Sequence, residues 1–260
     1  MPDRTNLACH YDGTFDGFLT VVFEAYAQKL PVNVITASGQ IQTGFGQSIR
    51  YIETQEEKAR RVERGILGKF GGAAMQQIAT VFWSGDEDKD TVLYRYIRAG
   101  FEQGRHIYNN LTHPDVLAAN NLYRNISREE QRVKGFVRFS LMENGVYYAS
   151  IAPRNNLVPL LTPHFADRFS DMPFLIHDTA HHLAGVYNGN GWYLVESEEL
   201  TPPDITEQEH EMRRMWRLFY DAIAVQGRIS AKRRRGMMPK FYWGNMPEMS
   251  PRYAGSILIL

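Results

Sequence analysis

The chain has 260 residues, 29 of them basic and 29 acidic, with 43% hydrophobic and 22% charged positions. That length can bury a sizeable core as one large domain or two small ones, and the composition excludes wholesale disorder. A net charge of zero excludes a sequence-independent nucleic-acid coat that works through overall positive charge, so phosphate contacts would have to come from a local patch.

In chain order, Leu7 to Tyr11 reads as a short strand. The turn Asp12-Gly13-Thr14-Phe15-Asp16-Gly17 follows, with Asp16 as expected N-cap of the next helix. Phe18, Val22, Tyr26 and Leu30 recur at four-residue spacing, the apolar stripe of that helix. Pro31 stops it, and Val32 to Ile35 forms a second strand, so the opening is a βαβ unit. Residues 56–83 are helical with a break at Gly71-Gly72. Ser84 to Glu87 has capping-box spacing ahead of a helix that buries Leu93, Tyr96, Ile97 and Phe101. Pro114 opens a helix over 114–134, inside which a second box, Ser127 to Glu130, is a candidate break.

The pattern then changes to period two. Val137, Phe139 and Leu141 alternate with polar residues, and Asn144-Gly145 precedes Val146, Tyr148 and Ser150, a hairpin signal that pairs Leu141 with Tyr148. A helix near 157–170 leads to strands at Phe174–Asp178, Leu183–Tyr187 and Trp192–Glu196, the last two joined by Asn188-Gly189-Asn190-Gly191. Thr206 to Glu209 caps a helix expected to turn Met212, Trp216, Phe219 and Ile223 inward. The fold class is therefore α+β, a mostly antiparallel sheet with packed helices and a βαβ-like N-terminal unit. A composition shift near residue 85 suggests two lobes, the first over 1–85, and in the tail over 251–260 the apolar end Ile257 to Leu260 suits a docked terminus or a partner contact.

The single cysteine, Cys9, excludes a disulfide framework, a self-contained iron–sulfur site and a Cys-rich zinc site; on a strand it is expected to be a small buried hydrophobe. A lone thiol and a short polar start suit a reducing compartment, so the cytoplasm is expected. No apolar run approaches the roughly 20 residues that span a bilayer, so no membrane partner is expected.

Three places concentrate chemistry. Asp12 and Asp16 sit on a Gly-bearing turn beside a helix N-terminus, where carboxylates can share acid–base duty or simply shape and cap the turn. His177, Asp178, His181 and His182, with His164, Asp167 and Arg168 upstream, could hold a metal only with a third ligand from elsewhere, and the simpler reading is hydrogen-bonded and surface histidines. No metal and no cofactor is expected. The stretch Arg228 to Trp243 carries Arg228, Lys232, Arg233, Arg234, Arg235 and Lys240 without an acid until Glu248, and ends in Phe241, Tyr242 and Trp243. Cations beside flat rings suit phosphate contact with base stacking. There is no phosphate-binding P-loop, no dinucleotide fingerprint and no nucleophile elbow.

The run Tyr11 to Leu19, the stretch Arg128 to Phe139, Pro163 to Phe169, Ile176 to Asp178, the Trp216–Phe219 helix and Met238 to Trp243 together resemble an uncharacterised family associated with DNA metabolism and DNA repair. The resemblance spans nearly the whole chain, and residues 86 to 250 look like that family's domain of unknown function. It implies a link to a radical-SAM protein of DNA repair, and some relatives carry the region fused to a uracil-DNA-glycosylase-like domain. With Cys9 alone, this chain lacks the three cysteines of a radical-SAM cluster. The leading expectation is an accessory protein that binds DNA through Arg228–Trp243 and acts with that enzyme. The alternatives are an enzyme using Asp12, Asp16, His164, Arg168, His177 and Asp178, and a non-catalytic protein–protein adaptor.

Overall fold

A computed structural model describes residues 7–37, 48–198, 200–223 and 230–249. The fold is α+β, and the chain divides into two compact units, residues 1–127 and 128–260. In the first unit, β1 (Leu7–Tyr11), α1 (Phe15–Ala27) and β2 (Val32–Ala37) form the expected βαβ crossover, with β1 and β2 parallel. A short strand the sequence did not signal, β3 (Ser48–Tyr51), pairs parallel with the other edge of β1, giving the order β2-β1-β3. Flanked on both sides, β1 buries Ala8, Cys9, His10 and Tyr11. Burial pushes the Cys9 thiol up to about 11, which keeps it protonated and inert.

The helices α2 (Glu56–Phe70), α3 (Gly72–Phe82) and α4 (Lys89–Gln103) follow in this unit, with the break at Gly71 as expected. Their buried Ile66, Ile78, Phe82, Leu93 and Ile97 join Phe18 and Val22 of α1 in one core. Two cap expectations are corrected. Thr14, not Asp16, caps α1: its hydroxyl accepts from Gly17 N at 3.0 Å, and Asp16 lies in the first turn. Ser84 accepts from Asp86 N at 3.2 Å within its own turn, and α4 begins after Asp88 without a side-chain cap.

The unit division falls inside α5 (Pro114–Phe136), which runs without a break through Ser127 to Glu130. The second unit holds β4 (Ser140–Leu141), β5 (Tyr147–Ile151), α6 (Val158–Arg168), β6 (Phe174–Asp178), β7 (Leu183–Tyr187), β8 (Trp192–Glu196), α7 (Glu207–Ala222) and α8 (Ala231–Met237). The sheet order is β4-β5-β6-β7-β8; its pairs are antiparallel except β5–β6, a parallel pair bridged by α6. Helix α6 lies on the sheet where β7 carries Gly185: a Cβ there would overlap Thr162 Oγ1 and approach Val158 Cγ1 to 2.9 Å.

The first hairpin is shifted by one residue from the expected register. Leu141 faces Tyr147 and Ser140 faces Tyr148. Gly145 N donates to Met142 O and Met142 N to Val146 O, so the loop has three residues, and Gly145, at φ +81°, holds the left-handed position. A three-residue loop of this kind needs one positive φ, whereas the expected two-residue turn needs two. The other correction concerns α7. Thr206 caps it, accepting from Glu209 N at 3.1 Å, but none of its side chains is buried. Met212, Trp216, Phe219 and Ile223 remain 41–57% exposed. The helix meets β4, only two residues long, through Glu209 and Arg213, while α6 packs on β6, β7 and β8.

Candidate nucleic-acid interface

The chain beyond α7 folds into the short helix α8 and a 3-10 turn over Lys240–Asn245. Ser230 caps α8, accepting from Arg233 N at 3.3 Å. A helix this short, of this sequence, has no apolar face to bury, so Lys232, Arg233, Arg234 and Arg235 are all exposed, as is Lys240. Among the described residues no carboxylate forms an ion pair with any of these five. Arg228 lies outside the described residues.

Two stacked pairs flank these cations. The Arg234 guanidinium sits 5.2 Å over the Trp243 ring, and the Trp243 indole N–H donates to Met238 O at 3.0 Å. Arg154, from the loop between β5 and α6, sits 5.4 Å over Phe241, which is 43% exposed. Charge and flat apolar surface are thus presented together.

Tyr242 has a different place from the one its residue type suggested. It is buried, its ring lies against Phe136 and Phe241, and its hydroxyl donates to Glu129 Oε1 at 2.8 Å. Burial first, and then the Glu129 carboxylate, push its pKa well above the usual tyrosine range. Tyr242 therefore anchors the segment, and Phe241 is the ring left at the surface.

Glu129 is the hub of that anchor. It comes from α5 and is itself buried, and its oxygens also accept from Arg154 N at 2.9 Å and Asn155 N at 3.1 Å. A buried carboxylate is tolerable when donors surround it, as they do here. Next to it, His181 Nδ1 binds Asp178 Oδ2 at 2.7 Å. The Asp178 bond raises the His181 pKa against the opposing pull of burial. Asp178 is fully buried and also accepts from Ala180 N and His181 N.

Alternation along β6 sends His177 to the opposite face from Asp178. There its Nδ1 meets the Tyr148 hydroxyl at 2.9 Å, and burial lowers its pKa. His164 packs edge-on against Phe165, its pKa lowered by burial, and the exposed Arg168 lies over Phe169. Among the described residues no group of three or more His, Cys, Asp or Glu is placed to hold a metal ion.

Asp12 and Asp16 belong to the first unit. Asp12 Oδ1 accepts from Thr14 N and Thr14 Oγ1, and Oδ2 from Thr54 Oγ1 at 2.6 Å. Burial pushes its carboxyl up, but the bonds from Thr54 and Thr14 outweigh that and hold it below the usual range. Asp16 is exposed. Sequence reasoning missed Glu129 and Arg154 as parts of the interface. The available signal was Glu129 inside the Arg128–Arg132 stretch; nothing marked Arg154, whose role depends on the fold.

These features define an α+β chain whose second unit carries a basic and aromatic surface on a buried acidic hub. Residues 87–248, more than half of the chain, match the family described as Domain of unknown function (DUF4130). The chain belongs to that family. No curated protein matches it. Among the described residues no helix is long and apolar enough to cross a membrane.

Proposed function

We propose that the chain is an accessory protein of DNA metabolism that binds nucleic acid through the surface formed by Lys232, Arg233, Arg234, Arg235, Lys240, Phe241 and Trp243, with Arg154 beside it. The observation that carries the reading is the set of exposed cations without carboxylate partners among the described residues, held next to two cation–aromatic stacks. Guanidinium and ammonium groups without an acid beside them release counterions from the phosphates they meet, and the exposed Phe241 ring, with the half-buried Trp243 near it, supplies a surface for bases. The motif resemblance adds the setting, DNA repair alongside a radical-SAM protein. A catalytic reading of Asp178 with His177 and His181 has less support, because each ring is already hydrogen-bonded within the chain.

The test is binding of fluorescent single-stranded and duplex DNA across a salt series, for the wild type and for the combined change of Arg233, Arg234 and Arg235 to Ala. Affinity is expected to fall steeply with salt, and the triple variant to lower the logarithmic slope by about 2 on single strands. No binding at low salt, or an unchanged slope in the variant, would sink the reading.

A further inference from the structure

Between α7 and the β4–β5 hairpin lies a cleft of about 610 Å³, a size typical of small-ligand sites. Its lining includes Trp216, Met212, Gln208 and Arg213 from α7, and Arg138 and Tyr147 from the other side. Each guanidinium is held by an acid. Arg138 donates to Glu248 Oε1 through Nε at 3.1 Å and Nη2 at 2.7 Å, which fixes it 5.6 Å over the Trp216 ring. Arg213 donates through Nε to Glu209 Oε1 at 2.9 Å and through Nη2 to Ser140 Oγ at 2.5 Å. Its Nη1, and the side-chain amide of Gln208, make no hydrogen bond among the described residues.

That combination selects a ligand class. Pairwise neutralisation of Arg138 and Arg213 makes the cleft a poor phosphate site. A purely apolar guest would take the half-buried Arg213 Nη1 from water without giving it a partner, which is costly, and would leave the exposed Gln208 amide unused. A flat heterocycle with donors and acceptors on its edge satisfies both the Trp216 face and these groups, as a nucleobase does. The segment that carries Phe241 and Trp243 continues into Pro247, which lines the cleft, and Glu248, which holds Arg138. We propose that the cleft receives one unstacked nucleobase from a strand bound along the Lys232–Trp243 surface. Delivery of the base rests on the nucleic-acid reading above; the chemistry of the cleft does not.

The experiment uses the full chain and a short single strand carrying a fluorescent adenine analogue whose emission stacking quenches. Wild type is compared with Trp216→Ala and Trp216→Phe. Trp216 is 41% exposed, so neither change empties a core. Binding should quench the analogue, Trp216→Ala should abolish the quenching and weaken the strand at least about fivefold, and Trp216→Phe should keep most of both. A parallel arm titrates deoxyadenosine monophosphate and reads the protein emission that disappears in Trp216→Phe. Strand binding with quenching that Trp216→Ala leaves intact overturns the cleft proposal and spares the nucleic-acid reading. Loss of Trp216 emission on adding the mononucleotide, without any strand binding, supports the cleft and overturns that reading. Silence in both arms overturns both.

Discussion

The turn that follows β1 and the segment that runs from α8 to Trp243 both concentrate charge beside a helix, and they dispose of it in opposite ways. At the turn, Asp12 commits both oxygens to Thr14 and Thr54, all within its own unit. Its lowered pKa records those bonds, and the carboxylate shapes the chain. In the segment, Lys232, Arg233, Arg234 and Arg235 stay exposed, with no acid paired to them among the described residues. Their anchor is displaced to Tyr242 and Glu129, where the polar atoms are paired. Charge satisfied inside the chain is architecture, and charge left over is available to something outside it.

The comparison is tested hardest at the hub. Glu129→Ala leaves Tyr242, Arg154 N and Asn155 N without their acceptor. An unmet buried donor costs about 1–3 kcal/mol, and the two amides are partly buried, so a loss of about 3 kcal/mol is expected in denaturant unfolding, with weaker DNA binding at conditions where the variant stays folded. Unchanged stability and unchanged binding together would show that the segment does not depend on this anchor. The matching break in the turn is Gly17→Ala, whose Cβ would overlap Asp12 Oδ1 and come within 2.8 Å of Thr54 Oγ1. Overpacking there is expected to cost about 2 kcal/mol while the folded variant binds DNA as the wild type does.

How much of this the sequence disclosed follows from what periodicity measures. Strands β6, β7 and β8 fall on the expected residues, and the Asn188–Gly191 loop joins the last two, because turn chemistry is local. Strand β3 gave no signal, since Ser48-Ile49-Arg50-Tyr51 is too short to show a period. The apolar stripe of α7 was legible but its burial was not: spacing says which residues share a face, and only the rest of the fold says whether anything covers it. At the interface, the cationic run is plain in the sequence. The separation of Tyr242 from Phe241 and Trp243 is not, because it depends on Glu129, 113 residues away.

A smaller and pH-dependent effect is expected at His181. Its pKa is raised in the fold, so its bond to Asp178 contributes fully below the unfolded histidine value of about 6.5, and the contribution disappears as pH rises through the higher folded value. His177, whose pKa is lowered, works in the reverse sense, losing its contribution as pH falls. Comparing His181→Gln with wild type across pH cancels His177. The deficit should be about 1.5 kcal/mol in mildly acidic solution and should shrink towards alkaline pH. A deficit that grows with pH instead would mean that Asp178 and His181 do not form the charged pair.

The smallest expected effect is the most discriminating. Changing Arg233, Arg234 and Arg235 together to Ala removes three charges. Among the described residues that change breaks the Arg235 bond to Ala231 O and the Arg234 stack on Trp243, and little else. Alanine is a better helix former than arginine by a small margin, and the relief of like-charge repulsion along α8 works in the same direction. Against these stands the exposed cation–aromatic stack, about 0.5–1 kcal/mol. The sum is expected to lie within about 0.5 kcal/mol of zero in denaturant unfolding. Near-zero cost with loss of DNA binding is the signature of residues kept for a partner. A cost of several kcal/mol would place the three arginines with Asp12, as charge that the fold itself requires.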